Sequence, residues 1–158
     1  MDGRPADQGR DERARRRAGP RGRRGGHRPH RAVRFGDGWL PGFLTAEEFA
    51  ASARHLHELA DQAGRPRLRL GIGTHATIAA RPGDGLADVS AGVVYAAYGI
   101  PADWARQRVL AGTPAQVADQ LAPYVQAGAD MVHIMCDPVP SAESWELLAK
   151  VRQLLNPP

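Results

Sequence analysis

From residue 35 onward, apolar positions recur with two periods, one of three to four residues and one of two. Phe49, Ala53, Leu56, Ala60 and Ala63 follow the first period and predict one buried helix face. Thr45-Ala46-Glu47-Glu48 supplies a capping box at its start, and Gly64 supplies a left-handed residue at its end. Leu68 to Thr74 then alternates with period two, the pattern of a strand with Leu68, Leu70 and Ile72 on one face. Arg81-Pro82-Gly83-Asp84-Gly85 has loop composition, and the Ala-rich run from Asp88 to Tyr98 predicts a buried helix. A second capping box, Thr113-Pro114-Ala115-Gln116, opens a helix with Val117, Leu121, Tyr124 and Val125 inward and Gly128 at its end. Pro123 forfeits a hydrogen bond inside it, so a kink is expected there.

Met131 to Cys136 is nearly continuously apolar, which predicts a strand buried on both faces, stopped by Asp137-Pro138. A last helix starts near Ser141 and places Trp145, Leu148, Val151 and Leu155 on one stripe. The order is helix, short strand, helix, strand, helix, helix, strand, helix. That alternation predicts an α/β fold with a parallel sheet, and three strands are too few to close a barrel.

Charge changes the picture at the N-terminus. The 158 residues carry 21 Lys+Arg against 17 Asp+Glu, a formal +4. Residues 1–34 hold 12 Arg and 4 acids, a net +8, whereas the remainder holds 9 basic and 13 acidic residues, a net −4. Met1 to Arg24 has too few apolar side chains to offset the entropy of ordering them, so residues 1–26 are expected to be a disordered Arg/Gly-rich tail. Blocks such as Arg15-Arg16-Arg17 could neutralise phosphates, but no aromatic side chain interleaves with them to stack on a base. A nucleic-acid-binding module is therefore a rival reading, and a solvated tail is favoured over it.

The chain is too short for a full eight-stranded α/β barrel, which normally needs about 250 residues. It has no run of membrane-spanning length and no apolar secretion signal, so the expected compartment is the cytoplasm. Cys136, the only cysteine, rules out an intramolecular disulfide and a four-cysteine zinc site.

Two stretches carry a resemblance. The first is Arg31 to Pro41, containing Phe35-Gly36-Asp37-Gly38-Trp39, preceded by Gly25-Gly26 and followed by the capped helix to Ala63-Gly64-Arg65. The second is Leu110-Ala111-Gly112-Thr113-Pro114, leading through a helix to Ala127-Gly128-Ala129-Asp130 and the last strand. Together, in order and spacing, they resemble the C-terminal part of the bacterial luciferase-like monooxygenases, flavin- or deazaflavin-dependent oxidoreductases built on a (β/α)8 barrel.

The resemblance implies a partial barrel domain over residues 27–158, with strand six at Asp37–Trp39, strand seven at Leu68–Thr74 and strand eight at Met131–Cys136. It implies FMN or the deazaflavin coenzyme F-420 as cofactor and a small-molecule substrate. Gly25 and Gly26 would be the remnant of the loop that binds the cofactor phosphate, where a missing Cβ permits close approach. The arginines before Gly25 replace the family's fifth strand. A truncated, inactive chain is expected on this reading, or a half-barrel that pairs with a second copy or a separate N-terminal half.

Active sites in such barrels lie at the C-terminal ends of the strands, here Trp39–Pro41, Thr74-His75 and Cys136-Asp137. Trp39 and His75 are accordingly candidate cofactor contacts, while no catalytic residue is assigned. The ordinary alternatives are rim packing for Trp39 and a plain loop histidine for His75. His133 alternates with core positions and is expected to be a hydrogen-bonded residue facing the barrel interior or a helix. His27 with His30, or His55 with His57, could be mistaken for metal ligands; residues two apart on a helix point about 200° apart, so His55 and His57 cannot share an ion, and no zinc site is expected. Cys136 is expected to be a buried structural cysteine, and Gly71-Ile72-Gly73 lacks the third glycine of a dinucleotide fingerprint.

Overall fold

A computed structural model of the chain describes residues 28–156. The expected tail at residues 1–26, including Gly25 and Gly26, lies outside the described residues, as does His27. The elements are α1 (Arg28–Phe35), β1 (Gly38–Trp39), α2 (Ala46–Gln62), β2 (Arg69–Ile78), α3 (Leu86–Tyr98), α4 (Ala102–Arg106), β3 (Leu110–Gly112), α5 (Pro114–Gln126), β4 (Met131–Cys136) and α6 (Ala142–Leu155).

All pairings are parallel, and β2 is the strand shared by the other three. Gly71 to Ala76 pair with Met131 to Cys136 of β4, which fills one edge of β2. Along the other edge β1 pairs with Arg69 and Leu70, Gly42 bridges Gly73, and β3 pairs with Ala76 to Ile78. The sheet is open, and four strands replace the three expected. The additional strand, β3, has only three residues, too few to establish a period.

Strand alternation gives the two faces of β2 different fates. Leu68, Leu70, Ile72 and Ala76 belong to the main core, with Phe49, Ala53, Leu56 and Ala60 of α2, Val117 and Leu121 of α5 and Val151 of α6. The opposite face begins with Gly71 and Gly73, beside Leu40, Pro41 and Met131. It continues with His75 and Thr77, which α3 covers: Thr77 Oγ1 and Ser90 Oγ are 2.8 Å apart, both buried. A second cluster, Ala91, Val94, Ala105 and Val109, packs α3 against α4.

The helix starts are as the caps predict. Thr45 Oγ1 accepts from the Glu48 N–H at 3.3 Å, and the Thr45 N–H donates to Glu48 Oε2 at 2.9 Å. Thr113 and Gln116 repeat the reciprocal pair, and Ser141 with Ser144 forms a third. Burial of the Glu48 carboxyl works to raise its pKa, but the Arg108 hydrogen bond at 2.7 Å, the Thr45 amide and the Arg108 charge together hold it below the ordinary value.

Four expectations about burial are corrected. The helix over Asp88–Tyr98 is not buried: only Ser90, Ala91 and Val94 of α3 are, because one face packs on the sheet and α4 while Val89, Tyr95 and Tyr98 stay exposed. β4 is not buried on both faces: Met131 and His133 are exposed and only Cys136 is fully buried, because nothing among the described residues covers this part of the inner face. Trp145 is 60 % exposed, and α6 turns Leu147 and Val151 inward instead. Ala63 and Val125 are exposed as well, since each lies at the margin of its helix stripe.

Tyr124 ties α5 to the loop before α2, its hydroxyl donating to the Leu44 carbonyl at 2.7 Å. Burial, then the charges of Glu47 and Glu48, push its phenol above the usual 10.0. The folded value exceeds the unfolded one, so this stabilisation is complete below about pH 10 and is lost as pH rises through the folded value. Urea midpoints measured across the alkaline range are expected to fall, and to fall less steeply in Tyr124→Phe. Equal slopes would contradict the assignment.

Candidate functional site

The carboxyl ends of β2 and β4 bring together a buried polar pair. His75 lies inside β2, three residues before its end, rather than after the strand as its sequence context suggested. Register places it beside Met135, and Asp137 follows one residue beyond the Cys136–Ala76 pair, held by its N–H on the Ala76 carbonyl at 2.9 Å. In-register parallel strands put Gly71, Gly73, His75, Met131, His133, Met135 and Asp137 on one face. On that face His75 Nδ1 is 3.0 Å from both carboxylate oxygens of Asp137. The two residues are 4 % and 9 % exposed.

Two oxygens that only accept fix the imidazole tautomer: Nδ1 carries the proton, and in the neutral ring Nε2 presents a lone pair. Tyr98, the last residue of α3, lies 3.4 Å from that nitrogen through its hydroxyl, which also contacts Met135 Sδ at 3.9 Å. Phe43 stacks on the imidazole with centroids 5.6 Å apart and planes 12° apart. Phe43 also meets Tyr98 edge-on at 5.8 Å and Trp104 at 6.5 Å. It holds this place at φ 55, a conformation uncommon for a residue with a side chain. Tyr98 is 53 % exposed, so the buried pair reaches solvent through its phenol.

The other sequence candidates are placed apart from this cluster. Trp39 pairs with Leu70, five residues before His75, which at strand rise is roughly 16 Å away. Its ring stacks on Phe49 at 6.0 Å. It also lines a cavity of about 330 Å³ with Leu40, Gly71 and Met131, at the amino end of the sheet. That cavity is mostly apolar and holds no polar pair comparable to His75–Asp137, which is why the carboxyl end is taken as the site. His133 does lie on the inner face, but it is exposed, not a packed residue.

His55 faces Glu58 at 3.8 Å and His30 ring to ring at 6.0 Å. Among the described residues no group of three or more His, Cys, Asp or Glu is placed to hold a metal ion. Cys136 is buried; burial, then the Asp137 charge, push its thiol up, which disfavours the nucleophilic thiolate. Among the described residues no helix is long and apolar enough to cross a membrane.

Asp137 was indicated only by its strand-end position, and Tyr98 and Phe43 were not indicated at all. Tyr98 closes a helix that sequence reads as uniformly apolar, and Phe43 lies in a loop without period. Their proximity to His75 is a product of α3 folding back over the sheet.

No family model matches the chain, and no curated protein sequence matches it. Solved structures define the fold class: α/β, an open parallel sheet flanked by helices that matches part of a (β/α)8 barrel. An F-420-dependent secondary alcohol dehydrogenase, solved with an F-420–acetone adduct, superposes with a TM-score of 0.64 at 11 % identity, over 81 % of this chain and 46 % of that one. The coenzyme F-420-dependent tetrahydromethanopterin reductase of Methanopyrus kandleri gives a TM-score of 0.56 at 15 % identity, over 82 % and 47 %. An EDTA monooxygenase from a Chelativorans species gives a TM-score of 0.58 at 18 % identity, over 80 % and 41 %. The chain thus spans less than half the length of these structures.

Proposed function

We propose that the chain forms the C-terminal part of a luciferase-like flavin- or deazaflavin-dependent oxidoreductase and supplies one wall of its cofactor and substrate site. The observation that supports this most is the His75–Asp137 pair, buried under Phe43 and Tyr98 at the carboxyl end of a parallel sheet, where barrel enzymes hold their chemistry. The neighbours' names, a dehydrogenase, a reductase and a monooxygenase, accord with that reading.

The residues fit the ring system of FMN or coenzyme F-420 better than its phosphate arm. Phe43, Tyr98 and Trp104 offer aromatic surface, and the Tyr98 hydroxyl offers a hydrogen bond to a ring edge. The phosphate arm falls to Gly25 and Gly26 in this proposal, with His75 as the further contact at the carboxyl end; Trp39, at the amino end roughly 16 Å from His75, lies apart from it. When bound, such a cofactor supplies a two-electron hydride carrier. The protein's share is to orient a small-molecule substrate, exclude water and hold a proton beside the reacting atoms.

The described residues build only one side of such a pocket, so the isolated protein is expected to show no turnover. Completion by a second copy or by a separate N-terminal half is the partnership proposed. Titrating FMN and F-420 into the isotopically labelled chain is expected to shift His75, Tyr98 and Trp104 resonances while Trp145, on α6, stays still. If neither cofactor moves these signals at its highest soluble concentration, the assignment fails. The basic tail as a nucleic-acid arm gains no support from any described residue.

A further inference from the structure

We infer that Asp137, His75 and Tyr98 form a proton relay whose outlet is the Tyr98 hydroxyl, and that it serves a small uncharged alcohol or, in reverse, the corresponding carbonyl compound. The inference rests on the oxidoreductase reading for its hydride acceptor and on the geometry alone for the relay. Asp137 Oδ1 and Oδ2 both lie 3.0 Å from His75 Nδ1. That commits Nδ1 to donation and leaves Nε2 as the acceptor facing the Tyr98 O–H at 3.4 Å. The competing acceptor, Met135 Sδ at 3.9 Å, is weaker. A buried imidazole with a carboxylate behind it and a hydroxyl in front has the arrangement that activates a nucleophilic hydroxyl in hydrolases. Here the hydroxyl is a phenol on a residue that is 53 % exposed, so its partner is a molecule arriving from solvent.

The rings around that outlet decide the substrate class. The Phe43 and Trp104 rings are largely apolar, no charged side chain hydrogen-bonds to Tyr98, and the cation on the Trp104 ring, Arg108 at 4.0 Å, is already paired with Glu48 at 2.7 Å. A neutral molecule with one hydroxyl and an apolar body suits this surface better than an anion. In the oxidation direction, the substrate hydroxyl gives its proton to the Tyr98 oxygen as Tyr98 gives its own to His75 Nε2. Asp137 stabilises the imidazolium that results. A flavin or deazaflavin bound here would supply the two-electron acceptor that must take the hydride of the substrate's C–H bond as its C–O bond becomes C=O. Tyr98 is then the catalytic residue, and His75 and Asp137 are positioning residues that act through it.

The relay can be tested without turnover. Tyr95, one turn earlier on α3 and 60 % exposed, is an internal reference for Tyr98. On treatment with N-acetylimidazole, general-base help should acetylate Tyr98 at least about a hundredfold faster than Tyr95, the low end of what a positioned base provides. Mass spectrometry reads the ratio. Asp137→Asn and His75→Gln should return it to about that of two independent phenols. An equal rate in the parent protein, or an advantage that survives both substitutions, overturns the relay. Should circular dichroism show either variant unfolded, the nitrogen-15 spectrum of the parent imidazole decides: a proton on Nδ1 supports the relay, and one on Nε2 refutes it. An acetylation advantage without any response of His75 to FMN or F-420 would keep the relay and remove the oxidoreductase reading. The converse result would remove the relay alone.

Discussion

Phe49→Ala is expected to destabilise the protein by about 3–5 kcal/mol, a large share of the roughly 5–15 kcal/mol that holds a typical domain folded. Phe49 is 0 % exposed and is among the largest fully buried side chains. It stands one turn inside α2, between the ring of Trp39 at 6.0 Å and that of Tyr124 at 5.7 Å. Truncation therefore removes two aromatic contacts along with the burial itself, and it opens a cavity between α2, β1 and α5. Those elements are fixed at both ends of the gap, by the Thr45–Glu48 cap and by the Tyr124–Leu44 hydrogen bond, so little collapse can fill it. Urea unfolding followed by far-ultraviolet dichroism measures the effect, with the midpoint falling and the slope unchanged. A loss below about 1 kcal/mol would mean that the three rings do not share one interface.

The second large effect is at the site. Asp137→Ala leaves buried His75 Nδ1 without a hydrogen-bond partner in either neutral tautomer, at a cost of about 1–3 kcal/mol. The companion change His75→Phe keeps a flat ring of similar size against Phe43 and removes the stranded nitrogen. The double variant His75→Phe/Asp137→Ala is expected to be more stable than Asp137→Ala alone, a reversal that independent sites cannot produce. Additive losses would show that the two side chains are neighbours without being partners. The same cycle separates stability from chemistry, since a stable double variant keeps the fold and lacks the relay.

The helices were legible in the sequence because their signals are local. Thr45 with Glu48 and Thr113 with Gln116 mark starts within three residues, and the three-to-four spacing of Phe49, Ala53 and Leu56 marks a face. β2 was legible only to Thr74, because alternation stops being visible once both faces are buried, and α3 buries His75 and Thr77 from the second side. The short α4 and β3 left no periodic trace at five and three residues. Met131 to Cys136 is the opposite case: its bounds were clear, but its composition matched a closed barrel's interior, while the described sheet is open. The candidate site was half legible. Strand-end logic picks out His75 and Asp137, yet their separation of 62 positions in sequence leaves their meeting to the β2–β4 register. Tyr98 and Phe43 depend on tertiary packing alone.

Phe43 shows what such a site demands of the chain that carries it. A residue other than glycine at φ 55 stores backbone strain, of order 1–3 kcal/mol, and glycine would release it. Glycine would also remove the ring that stacks on His75, meets Tyr98 and Trp104, and packs against the second cluster. That packing opposes the strain with a contribution of similar size, up to about 1.5–3 kcal/mol, the range for a fully buried phenylalanine. Position 43 is thus one where a local backbone cost is carried by the contacts of a single ring, and a directed-evolution library screened for ligand capture would retain phenylalanine there and seek its gains elsewhere.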